Sequence, residues 1–184
     1  MIKLISKLTA TIAVVSIALL GSANAKTLKI ETHFTASSPN GEVAAQFAKN
    51  VETFSGGSLK VEMFYSSSVT GKSAEVFNSA RSGIIDCDMT GAGYQTGKNA
   101  AFQFAGDVMG GYDNPYQQYE FLNYPGAQEA VDNLYNKYGM TLIGWWIPGH
   151  ESLISSKPIP DVASIKDFKF RSPPGMERMI FSEL

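Results

Sequence analysis

Between residues 27 and 91 the spacing of apolar side chains changes character four times, and this restricts the fold more than any other feature. Residues 27–33, TLKIETH, alternate like a strand. Ser38 then stands before Pro39, a side-chain cap followed by a proline at the first helical position. Val43, Phe47, Val51 and Phe54, with Ala44 and Ala48 beside them, recur at helical spacing until Gly56 and Gly57 stop the pattern. Residues 58–65, SLKVEMFY, place Leu59, Val61 and Met63 at every second position, which predicts a second strand. A short helix over GKSAEVFNSARSG, closed by Gly83, and a third strand over IIDCDMTG complete the run. Strand, helix, strand, helix, strand predicts an α/β fold around a largely parallel sheet. Ligands of such sheets sit beyond the carboxyl ends of the strands. The loops to watch are therefore FTASSPNG, SSSVTG and GAGYQTGK.

The pattern loosens after residue 100. NAAFQFAGDVMGGYDNP has no clean period, and Asn114-Pro115 then repeats the cap-and-proline signal. Residues 116–123 read as a helix that Pro125-Gly126 breaks. A further helix follows, with Val131, Leu134, Tyr135 and Tyr138 on one face and Gly139 at its end. MTLIGWWI predicts a buried strand in which Trp145 and Trp146 point to opposite faces, one to the core and one to a cleft. Beyond Pro148 the composition changes. ESLISS and FKFR read as short strands, KPIPD as a turn-rich link, SIKDF as one helical turn, and SPPGMERMIFSEL as a loop leading into a helix. Residues 148–184 are too few to bury a domain core, and the last helix carries no stop signal. The expected organisation is residues 26–147 as one α/β lobe and residues 148–184 as the incomplete start of a second.

Residues 1–25 predict a secretory signal peptide. Lys3 and Lys7 precede an apolar run that ends in Ala-Asn-Ala, and the run falls short of the ~20 apolar residues a spanning helix needs. Cleavage after Ala25 and export to the periplasm follow from that reading. The whole chain carries 15 basic and 17 acidic residues. It has no basic block that could track a phosphate backbone, so nucleic acid is not an expected partner. The single cysteine, Cys87, can form no intrachain disulfide and reads as a small residue packed in a strand.

Few residues suggest catalysis. His33 and His150 are the only imidazoles, and neither lies in a nucleophile motif. His33 ends the first strand and so could line a cleft. Asp86 and Asp88 share one face of the third strand, where a solvated or capping role is the commoner use of such a pair. GAGYQTGK lacks the spacing of either phosphate-binding glycine motif. No zinc-ligand spacing occurs. Tyr94 lies in a loop that faces a ligand in this architecture. Arg171 leaves the FKFR run and meets Ser172, Pro173, Pro174 and Gly175. A guanidinium on a stiff backbone suits bidentate carboxylate binding. A surface arginine at a strand end is the competing reading, and the residues alone leave both open.

The segments SSPNGEVAAQFAKNVETFSGGSLKVEMF, EVFNSARSGIIDCDMTGAGY and SIKDFKFRSPPG resemble the extracytoplasmic solute receptors of tripartite ATP-independent periplasmic (TRAP) transporters, of the DctP type. The likeness runs through the mature chain and is nearest to the branch that binds 2-oxo acids and related monocarboxylates. It implies a two-lobed periplasmic binding protein, not an enzyme, that closes on an organic acid such as pyruvate. It also implies a membrane permease as partner, a sodium or calcium ion that can bridge the ligand, and a homodimer as an open alternative. The arginine that family members use for the ligand carboxylate falls on Arg171. A polar residue upstream, commonly glutamine in the family, falls on His150, with Glu151 beside it. The aromatic residue of the strand-three loop falls on Tyr94, and Gln95 stands where a second aromatic is frequent. Family members continue well past residue 184, which implies that lobe two is truncated here. Two other functions remain to be weighed: a periplasmic enzyme on small acids with His33 or His150 as base, and a fragment, residues 26–184, that binds nothing alone.

Overall fold

The computed structural model describes residues 25–106, 108–147, 149, 152–166 and 168–184. The expected signal peptide, the boundary at residue 148, and the candidate site residues His150 and Glu151 lie outside the described residues.

The alternation of the first third becomes β1 (Lys26–Thr32), α1 (Pro39–Phe54), β2 (Leu59–Phe64), α2 (Val76–Arg81) and β3 (Cys87–Met89). The sheet is parallel, in the order β2-β1-β3. Parallel crossovers are right-handed, so one that steps left and one that steps right put their helices on opposite faces. α1 accordingly packs on β2, and α2 on β3. The carboxyl end of β1 is where the direction of winding reverses.

Local chemistry explains the element limits. The backbone N–H of Gly41 donates to Ser38 Oγ at 3.1 Å, and Pro39 occupies the first turn. A Cβ on Gly41 would collide with the carbonyl oxygen of Thr35, so glycine is required where the entering loop crosses the helix. Asn114 caps α3 (Pro115–Asn123) by accepting from the N–H groups of Tyr116 and Gln117 at 3.0 and 3.1 Å. The expected break falls at Tyr124, whose backbone is extended, and Pro125 starts the separate helix α4 (Pro125–Asn136), because its missing N–H is no loss in a first turn. The chain turns at Gly139, whose φ is 71°. The core on the α2 side joins Phe77, Ala92, Phe102 and Leu134, with Tyr135 and Tyr138 against it. Phe77 and Phe102 meet edge to face at 5.7 Å, and Phe102 and Tyr135 at 5.2 Å.

The loop after β2 is held from below. Glu31, fully buried, accepts the N–H groups of Val69 and Thr70 on Oε1 at 2.7 and 3.2 Å. The N–H groups of Ser66 and Ser67 donate to the carbonyls of Phe34 and Thr32. Ser66 and Ser67 both take left-handed φ values, 57° and 51°, at a cost of order 1 kcal/mol each that these bonds offset.

Three expected strands do not form. Residues 140–147, 152–155 and 168–171 have no ladder partner among the described residues. Their β-branched and aromatic residues supply propensity, but a strand exists only through its neighbours. The third strand is also shorter than expected, since Ile84 and Ile85 sit in the bend before it. After a single 3-10 turn at Val162–Ile165, the chain closes with α5 (Met176–Glu183).

Candidate functional site

A cavity of about 1000 Å³ opens beside the sheet and past the carboxyl ends of β1 and β3. One wall is apolar: Leu28 and Ile30 of β1 and the α1 stripe of Val43, Ala44, Phe47 and Val51. That stripe therefore borders open space and not a closed core, and Val43 stays 55% exposed. The chemistry gathers at the strand ends. His33 and Phe34 follow β1, residues 90–94 follow β3, and Trp145, Trp146, Arg171, Pro173 and Pro174 come from the later chain.

An aromatic shelf runs across this end. His33 lies on Phe34 with centroids 3.9 Å apart, and Tyr94 meets the His33 ring edge-on at 5.5 Å. Phe34 in turn packs on Trp146 at 4.6 Å. Both tryptophans line the cavity, because the segment that carries them is not in a sheet and does not alternate. The expected division into one core and one cleft tryptophan is therefore corrected.

Arg171 lines the cavity with its side chain exposed. It pairs with no carboxylate among the described residues, where the one ion pair is Lys60–Glu52 at 3.7 Å. Its backbone is braced by the segment that follows. Met176 N–H donates to Gln103 Oε1 at 2.6 Å. Gly175, at φ 95°, lies so close that a Cβ there would strike the same Gln103 oxygen. Gln103 and Glu177 are both buried and both border the cavity. Nothing in the sequence signals Gln103, which sits in a 3-10 stretch without periodicity.

The ionisable groups have distinct settings. Burial, and then the Arg171 charge, lower the basicity of His33. Burial pushes the Asp88 carboxyl up to about 6, against the opposing side-chain and backbone hydrogen bonds from Thr90; Thr90 Oγ1 donates at 2.6 Å. Burial, then Asp86 and Asp88, raise the Cys87 thiol, which keeps it protonated and a poor nucleophile. Asp86 accepts the Lys29 N–H at 2.8 Å and ties β1 to the start of β3, a structural use.

Of the residues expected at the site, Arg171 and Tyr94 border one cavity. Gln95 does not. It is 1% exposed and turned inward, where Oε1 accepts Lys98 Nζ at 2.8 Å and Nε2 donates to the Ala74 carbonyl at 3.4 Å. His33, which the sequence places at a strand end where it could line a cleft, stands among the cavity's polar groups. Among the described residues no cluster of three His, Cys, Asp or Glu side chains could hold a metal ion. No helix among them is long and apolar enough to cross a membrane.

Comparison with known proteins identifies the class. Residues 30–184 match the family described as bacterial extracellular solute-binding protein, family 7. The chain belongs to that family, the solute receptors of TRAP transport systems. It is similar to a TRAP periplasmic solute-binding protein from Rhodobacter sphaeroides in an apo, open form. The identity is 28% and the TM-score 0.66, over 85% of this chain and 49% of that one. A TRAP solute-binding protein from Colwellia psychrerythraea, with bound calcium and pyruvate, shares 22% identity at a TM-score of 0.69, over 87% and 48% of the two chains. One from Pseudoalteromonas atlantica, with bound sodium and pyruvate, shares 21% identity at a TM-score of 0.58, over 63% and 35%. The likeness to these last two shows the α/β fold. The chain spans about half or less of the length of these solved proteins. No curated protein matches the chain.

Proposed function

We propose that this protein is a periplasmic receptor that captures a small monocarboxylate, a 2-oxo acid such as pyruvate, and delivers it to a TRAP membrane permease. The observation that carries the reading is Arg171, a cation in the cavity wall with no carboxylate partner among the described residues. It is the only lysine or arginine among the described residues of that wall, whose other charged-type side chains are the acids Asp86, Asp88 and Glu177. One planar fork beside aromatic and apolar surface suits one carboxylate on a small body. A second carboxylate would meet acids and no second cation. The lowered dielectric of a closed cleft strengthens the pair relative to water.

In this reading residues 26–147 form one wall as lobe one, and residues from 148 onward bring Arg171 as part of a second. Tyr94 covers the apolar part of the ligand, and His150 and Glu151 add polar contacts from the hinge side. Closure is a population shift driven by contacts made only when both walls meet the ligand. The ligand leaves unchanged, so no residue is assigned a catalytic role. The named residues come from one chain, and a homodimer is not required. The Colwellia and Pseudoalteromonas proteins hold calcium and sodium beside pyruvate. The described residues here hold no cluster of three His, Cys, Asp or Glu side chains, and in this reading a sodium or calcium ion, such as those proteins hold, bridges the ligand while Arg171 holds the carboxylate.

Arg171→Lys in the full-length protein replaces the fork with a point charge. Titration calorimetry should show carboxylate affinity falling more than about tenfold, about 1.4 kcal/mol. Unchanged affinity contradicts the assignment.

A further inference from the structure

His33 stands at the one place the topology marks out. In a parallel sheet of order β2-β1-β3, the crevice beyond the carboxyl ends of β1 and β3 is the point where the winding reverses and ligands bind. His33 immediately follows β1 there, with Tyr94 from beyond β3 against its edge. Phe34 supports the ring from the other side. The ring cannot turn freely between these neighbours, so its two nitrogens have separate fates.

Nδ1 is enclosed and has no hydrogen-bond partner. The residue is only partly buried and lines the cavity, so Nε2 is the nitrogen that meets the contents. A proton on Nδ1 would be a buried donor without an acceptor, and protonating both nitrogens would add an unpaired buried charge. The stable form is the neutral ring with its hydrogen on Nε2. The lowered basicity of His33 agrees with this. The cavity thus holds a cation in Arg171 and a neutral donor in His33, near enough for the charge of one to act on the other.

We infer that His33 reads the substituent at carbon 2 of the bound acid, its Nε2–H donating to a 2-oxo or 2-hydroxy oxygen while Arg171 holds the carboxylate. Carboxylate and C2 oxygen sit on adjacent carbons, so one small acid reaches both groups. The inference rests on the carboxylate reading above and adds the residue that recognises the oxygen on carbon 2. A plain fatty acid of the same skeleton leaves the donor without an acceptor in a dry site, which costs more than the bond itself contributes.

The test is titration calorimetry of the full-length protein with pyruvate, lactate and propionate. Wild-type protein should bind pyruvate or lactate at least about tenfold more tightly than propionate; the better of the two identifies the oxygen as oxo or hydroxy. His33→Phe keeps an aromatic ring between Phe34 and Tyr94 and removes both nitrogens. It should bring the three acids within about threefold of one another, through loss of affinity for the preferred acid and not gain for propionate. His33→Gln, which places an amide N–H near the Nε2 position, should keep part of the preference. If His33→Phe does not fold, His33→Leu carries the same comparison. A preference that survives His33→Phe, or an equal loss for all three acids, overturns the inference. Arg171→Lys should weaken all three acids and leave their ratio alone. If it weakens none while His33→Phe still erases the preference, the carboxylate anchor fails and the His33 role stands. Wild-type protein that binds none of the three overturns both.

Discussion

Asp88 shows how strongly position governs a single carboxyl in this protein. Burial is the largest influence, and the Glu31 charge across the β1–β3 register adds to it; together they outweigh the Thr90 hydrogen bonds and the Lys98 charge and push the carboxyl up to about 6. The folded state therefore holds this proton more tightly than the unfolded chain, whose ordinary value is 3.8. Stability from Asp88 is complete below the unfolded value and is lost as pH rises through about 6. Asp88→Asn removes that dependence. Relative to wild type, the variant should gain about 2–3 kcal/mol between pH 4 and pH 7.5 in urea denaturation of the ligand-free protein. An offset between the two proteins that is the same at both pH values contradicts the burial account. His33 has the opposite sign. Its folded value is lowered, so its share of stability is present above 6.5 and lost as pH falls below it. That share is common to both proteins and cancels in the comparison.

At the level of elements, the legible parts are those whose signals are local. Ser38-Pro39 and Asn114-Pro115 announce α1 and α3, and the caps form as side-chain chemistry requires. The alternation of Leu59, Val61 and Met63 likewise places β2. FKFR and MTLIGWWI have equally strong strand character and remain unpaired among the described residues, because pairing belongs to the neighbour as much as to the segment. The loop after β2 is the opposite case: no glycine or proline marks the left-handed Ser66 and Ser67, which donate to the carbonyls of Phe34 and Thr32, while the Glu31 carboxylate on β1 holds the loop at Val69 and Thr70. Glu31→Ala should therefore cost about 2–4 kcal/mol in urea denaturation, since it leaves two loop N–H groups without an acceptor. Glu31→Gln keeps an acceptor and should cost less. A cost below about 0.5 kcal/mol for the alanine variant means that the loop holds itself.

For the whole molecule, the sequence order of strands and helices implies a parallel sheet, but the spatial order β2-β1-β3 is not written in any one segment. That order is what turns His33 from a strand-end residue into a residue of the crevice. The places of Arg171 and Tyr94 in the cavity wall were legible because a charge on a proline mount and an aromatic in a strand-end loop are local features, and the family resemblance added weight to the arginine. Gln103, which accepts the Met176 N–H and braces the Arg171 segment, has no local signal, since its partner lies 73 residues away. The central claim is that Arg171 anchors a small monoanionic acid at this crevice. Native mass spectrometry of the full-length protein purified from its own periplasm, wild type beside Arg171→Ala, tests it most directly. The account predicts that wild type carries a small 2-oxygenated monocarboxylic acid, identified after release, and that the variant is empty. A wild type that carries no organic acid, or a variant that carries the same acid at the same occupancy, contradicts it.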